Sequence, residues 1–154
     1  TKSFKTLLNG VVVQSTDLKT EGAADFTAVT EREPTTQEVT DLVFANKCAK
    51  HLKSNTIVLV KDNQMISMGC GQTSPLDAPQ HATHKAETFG FDTKGAVMAS
   101  DAFFPFSDCV EIAHDAGITA VVQPGGSIRD KDSISACNER GMAMVTTGIR
   151  HFKH

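Results

Sequence analysis

The feature that most constrains this chain is a change of rhythm after residue 95. Short apolar runs at 96–99, 118–122 and 142–146 alternate with stretches at 107–116 and 128–140 whose apolar residues recur at helical spacing. A glycine follows each helical stretch, Gly117 and Gly141, and glycine readily adopts the left-handed conformation that closes a helix. Alternation of this kind builds βαβ units, so the expected fold class is α/β with a mostly parallel sheet. Ligands of such sheets sit beyond the carboxyl ends of the strands. The segments at those ends are 69–74, 100–107, 123–127 and 147–154, and the fold predicts that they share one rim.

The earlier part of the chain fits the same plan. Val11-Val12-Val13 and 26–29 are short β-prone runs. Thr35, with Glu38 three positions on, forms a capping box, and apolar residues from Val39 to Leu52 predict one amphipathic helix ending near Lys53. Strands are expected at 56–60 and 65–68, joined by a hairpin turn at Asp62-Asn63. A further helix is expected over 76–89, where Pro79 is harmless in the first turn and a kink anywhere later.

Composition removes several function classes. Fifteen Lys and Arg stand against eighteen Asp and Glu, a formal charge of −3, so no cationic excess drives nucleic-acid binding. No apolar run approaches the roughly 20 residues of a membrane span. A length of 154 residues suits one domain. The chain opens on Thr1 and reads as a piece of something longer. Its four cysteines are scattered with no Cys-x-x-Cys pair, which suggests reduced, mostly buried thiols in a cytoplasmic protein.

The rim segments carry the candidate chemistry. Pro124-Gly125-Gly126-Ser127 and Gly69-Cys70-Gly71-Gln72-Thr73-Ser74 are either plain turns or backbone cradles for an anion. Ser100-Asp101-Ala102-Phe103-Phe104-Pro105-Phe106 is either a hydrophobic plug or a stacking surface for a planar ring. The tail, Gly148 to His154, is basic and aromatic, and Arg150 is the residue type suited to gripping a phosphate. His81 and His84, and likewise His151 and His154, are spaced to face one way, but no cysteine or third histidine stands at ligand spacing beside them, so no zinc is expected. The His-x-Glu and Pro-Cys-x-x-Cys zinc signature of nucleoside deaminases is absent.

Five strings together resemble one family: 53–58 (Lys-Ser-Asn-Thr-Ile-Val), 69–74, 100–106, 123–130 (Gln-Pro-Gly-Gly-Ser-Ile-Arg-Asp) and 150–154 (Arg-His-Phe-Lys-His). Their order and spacing resemble the C-terminal half of the AICAR transformylase domain of the bifunctional enzymes that also carry IMP cyclohydrolase. The resemblance covers nearly the whole chain. It implies a cytidine deaminase-like three-layer α/β/α sandwich without zinc, with residues 1–154 a single C-terminal subdomain of a longer domain. The implied reaction moves a formyl group from 10-formyltetrahydrofolate, the co-substrate, to the amino group of AICAR in purine (IMP) biosynthesis.

By the same resemblance, Asn55 stands near the reacting centre as a donor to the formyl oxygen. Phe103 lies against the AICAR base, Arg150 grips the phosphate, and Phe152 and His154 shape that pocket. Ser74, Pro105, Phe106 and Cys109 serve the folate side. A potassium ion falls near Cys48, Ser54, Asp101 and His151, held mainly by main-chain oxygens. The implied partners are the remaining half of the domain and a second copy in a homodimer, with neither nucleic acid nor membrane.

Two departures accompany the resemblance. The family's catalytic Lys-His-x-Asn-Pro-x-Gly motif is absent, and Lys50-His51, inside a predicted helix, does not replace it. The chain alone is therefore expected to be inactive. Relatives continue Gly-Gln-x-Ser with Arg where this chain has Pro75, a loss of a charged hydrogen bond worth about 1–3 kcal/mol. A non-catalytic nucleotide- or phosphate-binding module on the same fold is the alternative.

Overall fold

The computed structural model describes residues 1–74, 76–104 and 107–153. The chain opens with a hairpin, β1 (Lys2–Leu7) paired antiparallel with β2 (Gly10–Ser15), which forms its own two-stranded sheet. A 3-10 turn (Ala23–Asp25) leads to β3 (Thr27–Ala28) and then to α1 (Thr36–His51). There follow β4 (Ile57–Lys61), β5 (Gln64–Gly69), α2 (Asp77–Thr88) and β6 (Val97–Ser100). The last elements are α3 (Asp108–Asp115), β7 (Ala120–Gln123), α4 (Asp130–Glu139) and β8 (Ala143–Thr146).

The local signals act as the sequence predicts. The Thr35 hydroxyl accepts the Glu38 N–H at 3.2 Å while Glu38 Oε2 accepts the Thr35 N–H at 2.7 Å, a complete capping box at the start of α1. Asp62 and Asn63 both have positive φ, the conformation of a two-residue hairpin turn. The Asp41 carboxylate of α1 accepts both of their N–H groups, at 3.1 and 2.7 Å. Pro79 is the third residue of α2, within the first turn, where no intrahelical donor is missed. Gly117 and Gly141 take φ of 81° and 65°. The following residues Ile118 and Met142 bond back to Ala113 and Cys137 at 3.0 and 2.9 Å, the closing pattern of a helix C-terminus.

The main sheet has the order β3-β8-β7-β6-β4-β5. It is mixed, which corrects the expectation of a mostly parallel sheet. Only β6–β7 and β7–β8 are parallel; β4–β5, β4–β6 and β3–β8 are antiparallel. The reason is the hairpin at Asp62-Asn63, which reverses β4 against β5. The crossover through α2 then lays β6 on the far side of β4, parallel to β5, so one reversed strand sits inside the sheet.

Side chains alternate across it. Ile57, Leu59, Met98, Val121 and Met144 face α2, α3 and α4, together with Phe104, Val110 and Cys137. Val58, Val60, Val97, Val122 and Val145 face Leu42, Ala45 and Ala49 of α1. This is the expected three-layer sandwich, with α1 alone covering one face. Among the described residues no helix is long and apolar enough to cross a membrane. The four cysteines are free thiols, Cys109 and Cys137 buried, Cys48 and Cys70 partly so.

The end of β5 lies close against α2. A Cβ on Gly69 would stand 2.2 Å from the Ala78 carbonyl oxygen, a backbone atom that cannot swing aside. Gly69→Ala is therefore expected to destabilise the fold by about 1–3 kcal/mol, the usual range for overpacking, read as a lower urea midpoint with an unchanged slope.

Candidate functional site

Because β4 runs against β6, its amino end reaches the same rim as the carboxyl ends of β5 to β8. Ile57 pairs with both Gly69 and Ser100, and Gln123 pairs with Thr146. A cavity of about 140 Å³ opens at this rim, lined among others by Asn55, Ser100, Phe103, Phe104, Cys109 and Arg150. Asn55, Phe103 and Arg150, separated by up to 95 positions, thus share one wall.

Asn55 is held by its own backbone. Its N–H donates to the Gln72 carbonyl at 3.3 Å, and its carbonyl accepts the Gln72 N–H at 3.2 Å. The side-chain amide donates one hydrogen to the Gln72 carbonyl at 3.4 Å. The peptide bond before it, Ser54-Asn55, is cis.

The Phe-rich string divides between its two readings. Phe104 is the plug: it is buried in the core, and its N–H donates to Gln123 Oε1 at 2.8 Å. Phe103 lines the cavity beside it and meets the Arg150 guanidinium, whose carbon lies 5.5 Å from the ring centroid. Phe152 takes the same guanidinium at 4.1 Å. With its carbon over these two rings, the guanidinium keeps N–H groups to donate to an acceptor such as phosphate.

The glycine loops act as turns. Gly126 donates its N–H to Asp130 Oδ2 at 2.7 Å, so an anion there would meet a carboxylate. In the other loop, Gly71 and Gln72 donate to the Lys53 and Asn55 carbonyls. Ser74 lies off the cavity lining, where its hydroxyl accepts the Leu76 N–H at 3.3 Å. Pro75, Pro105, Phe106 and His154 lie outside the described residues.

The cavity's titratable groups are few. Burial pushes the Cys109 thiol up to about 11, so it stays protonated at neutral pH and is a wall rather than a base. Lys50 and His51 sit at the end of α1, away from the lining, with the Lys50 ammonium on the Thr20 hydroxyl. No lysine or histidine lines the cavity among the described residues.

Behind the wall lies Asp101. Its Oδ1 accepts the Thr56 N–H at 2.8 Å, while Oδ2 is buried and accepts nothing among the described residues. Burial raises its pKa against the lowering pull of the Ser54 hydroxyl, the Thr56 N–H and the Arg150 charge. Cys48 packs against the core on the α1 side. The His151 ring is buried between Asp17 and Glu21, at 2.5 and 2.6 Å. Sequence reasoning gave no sign of Asp17 or Glu21, since both stand in a polar stretch that reads as a connection.

Comparisons with known proteins agree with this architecture. The fold is shared with a diaminohydroxyphosphoribosylaminopyrimidine deaminase/reductase from Thermotoga maritima (TM-score 0.50, 20% identity, 73% of this chain and 35% of that one). It is shared also with the dCMP deaminase of cyanophage S-TIM5 (TM-score 0.50, 17% identity, 64% of this chain and 88% of that one). In sequence, the bifunctional purine biosynthesis protein PurH of Bacteroides thetaiotaomicron is 61% identical over 153 residues, 99% of this chain and 30% of that protein. PurH of Aquifex aeolicus is 57% identical over 126 residues, 82% of this chain and 25% of that protein. The chain thus spans about a third or less of the length of these relatives. Residues 1–85 match the profile of the AICARFT/IMPCHase bienzymes, and the chain belongs to that family.

Proposed function

We propose that this chain forms the C-terminal part of an AICAR formyltransferase, transferring a formyl group from 10-formyltetrahydrofolate to AICAR within a bifunctional purine-biosynthesis enzyme. The observation that carries the reading is the single cavity lined by Asn55, Phe103 and Arg150. A weakly basic aromatic amine has to attack a formamide carbon, so the site must hold the phosphate, stack the base, stabilise the oxyanion and accept a proton.

This chain's residues fit the first three tasks. Arg150, over the rings of Phe103 and Phe152, offers its N–H groups to the phosphate. Phe103 offers the other part of its ring to the base. The Asn55 amide, with one hydrogen on Gln72, has a second to give to the formyl oxygen as negative charge develops there. The amine nitrogen then bonds to the formyl carbon, the bond from that carbon to the folate nitrogen breaks as that nitrogen takes up a proton, and the amine gives up a proton to a base. Nothing in the described lining can take that proton, because Cys109 stays protonated and the rest are uncharged or cationic. The proton acceptor therefore belongs to the remaining half of the domain, and the isolated chain is a binding wall without turnover.

The reading includes a potassium ion. The buried, unpartnered Asp101 Oδ2 with Ser54 beside it suits a cation, which would compensate the carboxylate charge. Self-association into a homodimer and a cytoplasmic setting belong to the same reading.

The test is Arg150→Ala in the complete formyltransferase. Calorimetric titration should show AICAR binding weakened by about 10- to 100-fold, the worth of a charge-assisted phosphate contact, with folate binding little changed. Unchanged AICAR affinity would remove the phosphate assignment. Nucleotide binding with no response to a reduced folate would instead favour a non-catalytic nucleotide module.

A further inference from the structure

The segment that carries Arg150 has no regular secondary structure to hold it. It leaves β8 through Gly148 at φ 68° and runs to Lys153 without helix or strand. Arg150 itself is exposed, held over the faces of two rings and within electrostatic reach of the Asp101 carboxylate, with no hydrogen bond or ion pair of its own among the described residues. Something else must fix the direction of its side chain.

The residue between the two stacked partners does the opposite of them. Arg150 and Phe152 meet each other, while His151 turns into the body of the protein, where its side chain is 2% exposed. Nδ1 lies 2.5 Å from Asp17 Oδ2 and Nε2 lies 2.6 Å from Glu21 Oε2. The Glu21 carboxylate is itself buried and also accepts the Asn46 amide at 2.9 Å, which ties the cluster to α1. Asp17 is braced in turn by the Lys50 ammonium at 3.9 Å. Two positions on, the chain is pinned again: Lys153 N–H donates to the Ser54 hydroxyl and its carbonyl accepts the Ser54 N–H, both at 2.9 Å. The tail is therefore gripped by the buried His151 ring and the two bonds to Ser54, with the Phe152 carbonyl also accepting the Gln14 side-chain amide and the Lys153 ammonium donating to the His51 carbonyl at 3.1 Å.

We propose that His151, clamped between Asp17 and Glu21, is a positioning residue that aims Arg150 into the cavity for the nucleotide phosphate. The inference rests on the assignment of Arg150 above. Its physical basis is geometric. His151 faces inward while its neighbour Arg150 is exposed and meets Phe152, so anchoring the buried ring holds the backbone from which the Arg150 side chain departs. A charged donor must be held close to its productive direction before a phosphate contact is worth its full value.

A double-mutant cycle in the complete formyltransferase separates aiming from mere stability. AICAR and the corresponding nucleoside, which lacks the phosphate, are titrated against wild type, His151→Ala, Arg150→Ala and the double variant. His151→Ala is expected to weaken AICAR by about tenfold and leave the nucleoside unchanged, with no further loss when Arg150 is already alanine. Equal losses in both backgrounds, or loss of nucleoside as well, would overturn the aiming role. So would unchanged AICAR affinity in His151→Ala. If His151→Ala does not fold, Asp17→Asn replaces it, since Asp17 is partly exposed. A severalfold loss for AICAR alone, absent in the Arg150→Ala background, then supports the proposal, and no loss overturns it. Arg150→Ala by itself reports on the underlying assignment: if AICAR binds it as tightly as wild type, the phosphate reading fails first and the aiming role with it.

Discussion

Replacing Glu38 by alanine should lower the stability of this fold by about 2–3 kcal/mol, the combined worth of a helix-cap acceptor and of a charge-assisted pair whose arginine is partly exposed to solvent screening. Glu38 does two things at once. It closes the capping box of α1 by accepting the Thr35 N–H, and it receives the Arg32 guanidinium in two parallel bonds, at 2.8 and 2.9 Å. Arg32 in turn donates to the carbonyls of Thr119 and Gly141, at 2.5 and 2.8 Å. The pair therefore joins the start of α1 to the turns that precede β7 and β8. Without the carboxylate, a partly buried guanidinium is left with carbonyls alone.

The same pair sets a pH dependence. Burial would raise the Glu38 carboxyl, but Arg32, the Thr119 side chain and the Thr35 N–H outweigh it and hold the pKa down to about 2, against an ordinary 4.5. A carboxylate with a depressed folded-state pKa adds stability that is complete above its unfolded value and is lost as pH falls through the folded one. Discounted for solvent screening around the partly exposed Arg32 side chain, Glu38 thus contributes about 1–2 kcal/mol at neutral pH, lost between about pH 4.5 and 2. Urea unfolding of wild type and Glu38→Gln across that window checks it. Glutamine keeps an acceptor for the cap and loses the charge, so its curve should be flatter there. Parallel curves would mean that another group carries the acid sensitivity.

Legibility in the sequence followed the range of the interaction. Thr35 and Glu38, Asp62-Asn63, Gly117 and Gly141 each complete their structural task within four residues, and each was readable. The placement of β4 between β5 and β6 was not, since nothing in a hairpin signal tells which side of it the next crossover strand will take. β1 is not legible either, although Leu8-Asn9 turns the chain from it into β2. Its side chains are exposed on both faces, so no burial pattern marks it.

The site shows the same division. That the strand ends share a rim follows from fold class alone, and the cavity there gathers Asn55, Phe103 and Arg150. The Asp17–His151–Glu21 cluster joins residues 130 and 134 positions apart. No periodicity, spacing or turn chemistry reports a contact of that range. The two readings of 100–106 could not be separated either, because both hold at once: Phe104 fills the core and borders the cavity from within, while Phe103 meets Arg150 at its wall.

On the function proposed above, with Asn55 the donor to the formyl oxygen, Asn55→Ala should reduce formyl transfer by the complete enzyme about 10²- to 10³-fold in kcat, with the affinities for AICAR and folate nearly unchanged. That is the usual cost of losing one donor aimed at a developing oxyanion, and such a loss falls on kcat because the donor matters most in the transition state. The structure supplies what such a donor needs. The mutual backbone bonds with Gln72 hold the residue at the rim before any substrate arrives, and the bond from its amide to the Gln72 carbonyl limits rotation of the side chain. Preorganisation of this sort means that little has to reorient as charge moves onto the oxygen. Asn55→Asp sharpens the test. It preserves size but puts a carboxylate beside the oxyanion, so its kcat should fall at least as far as that of alanine. If Asn55 acted only by shaping the cavity, aspartate would behave nearly as wild type and alanine would raise KM. That pattern would assign oxyanion stabilisation to another residue.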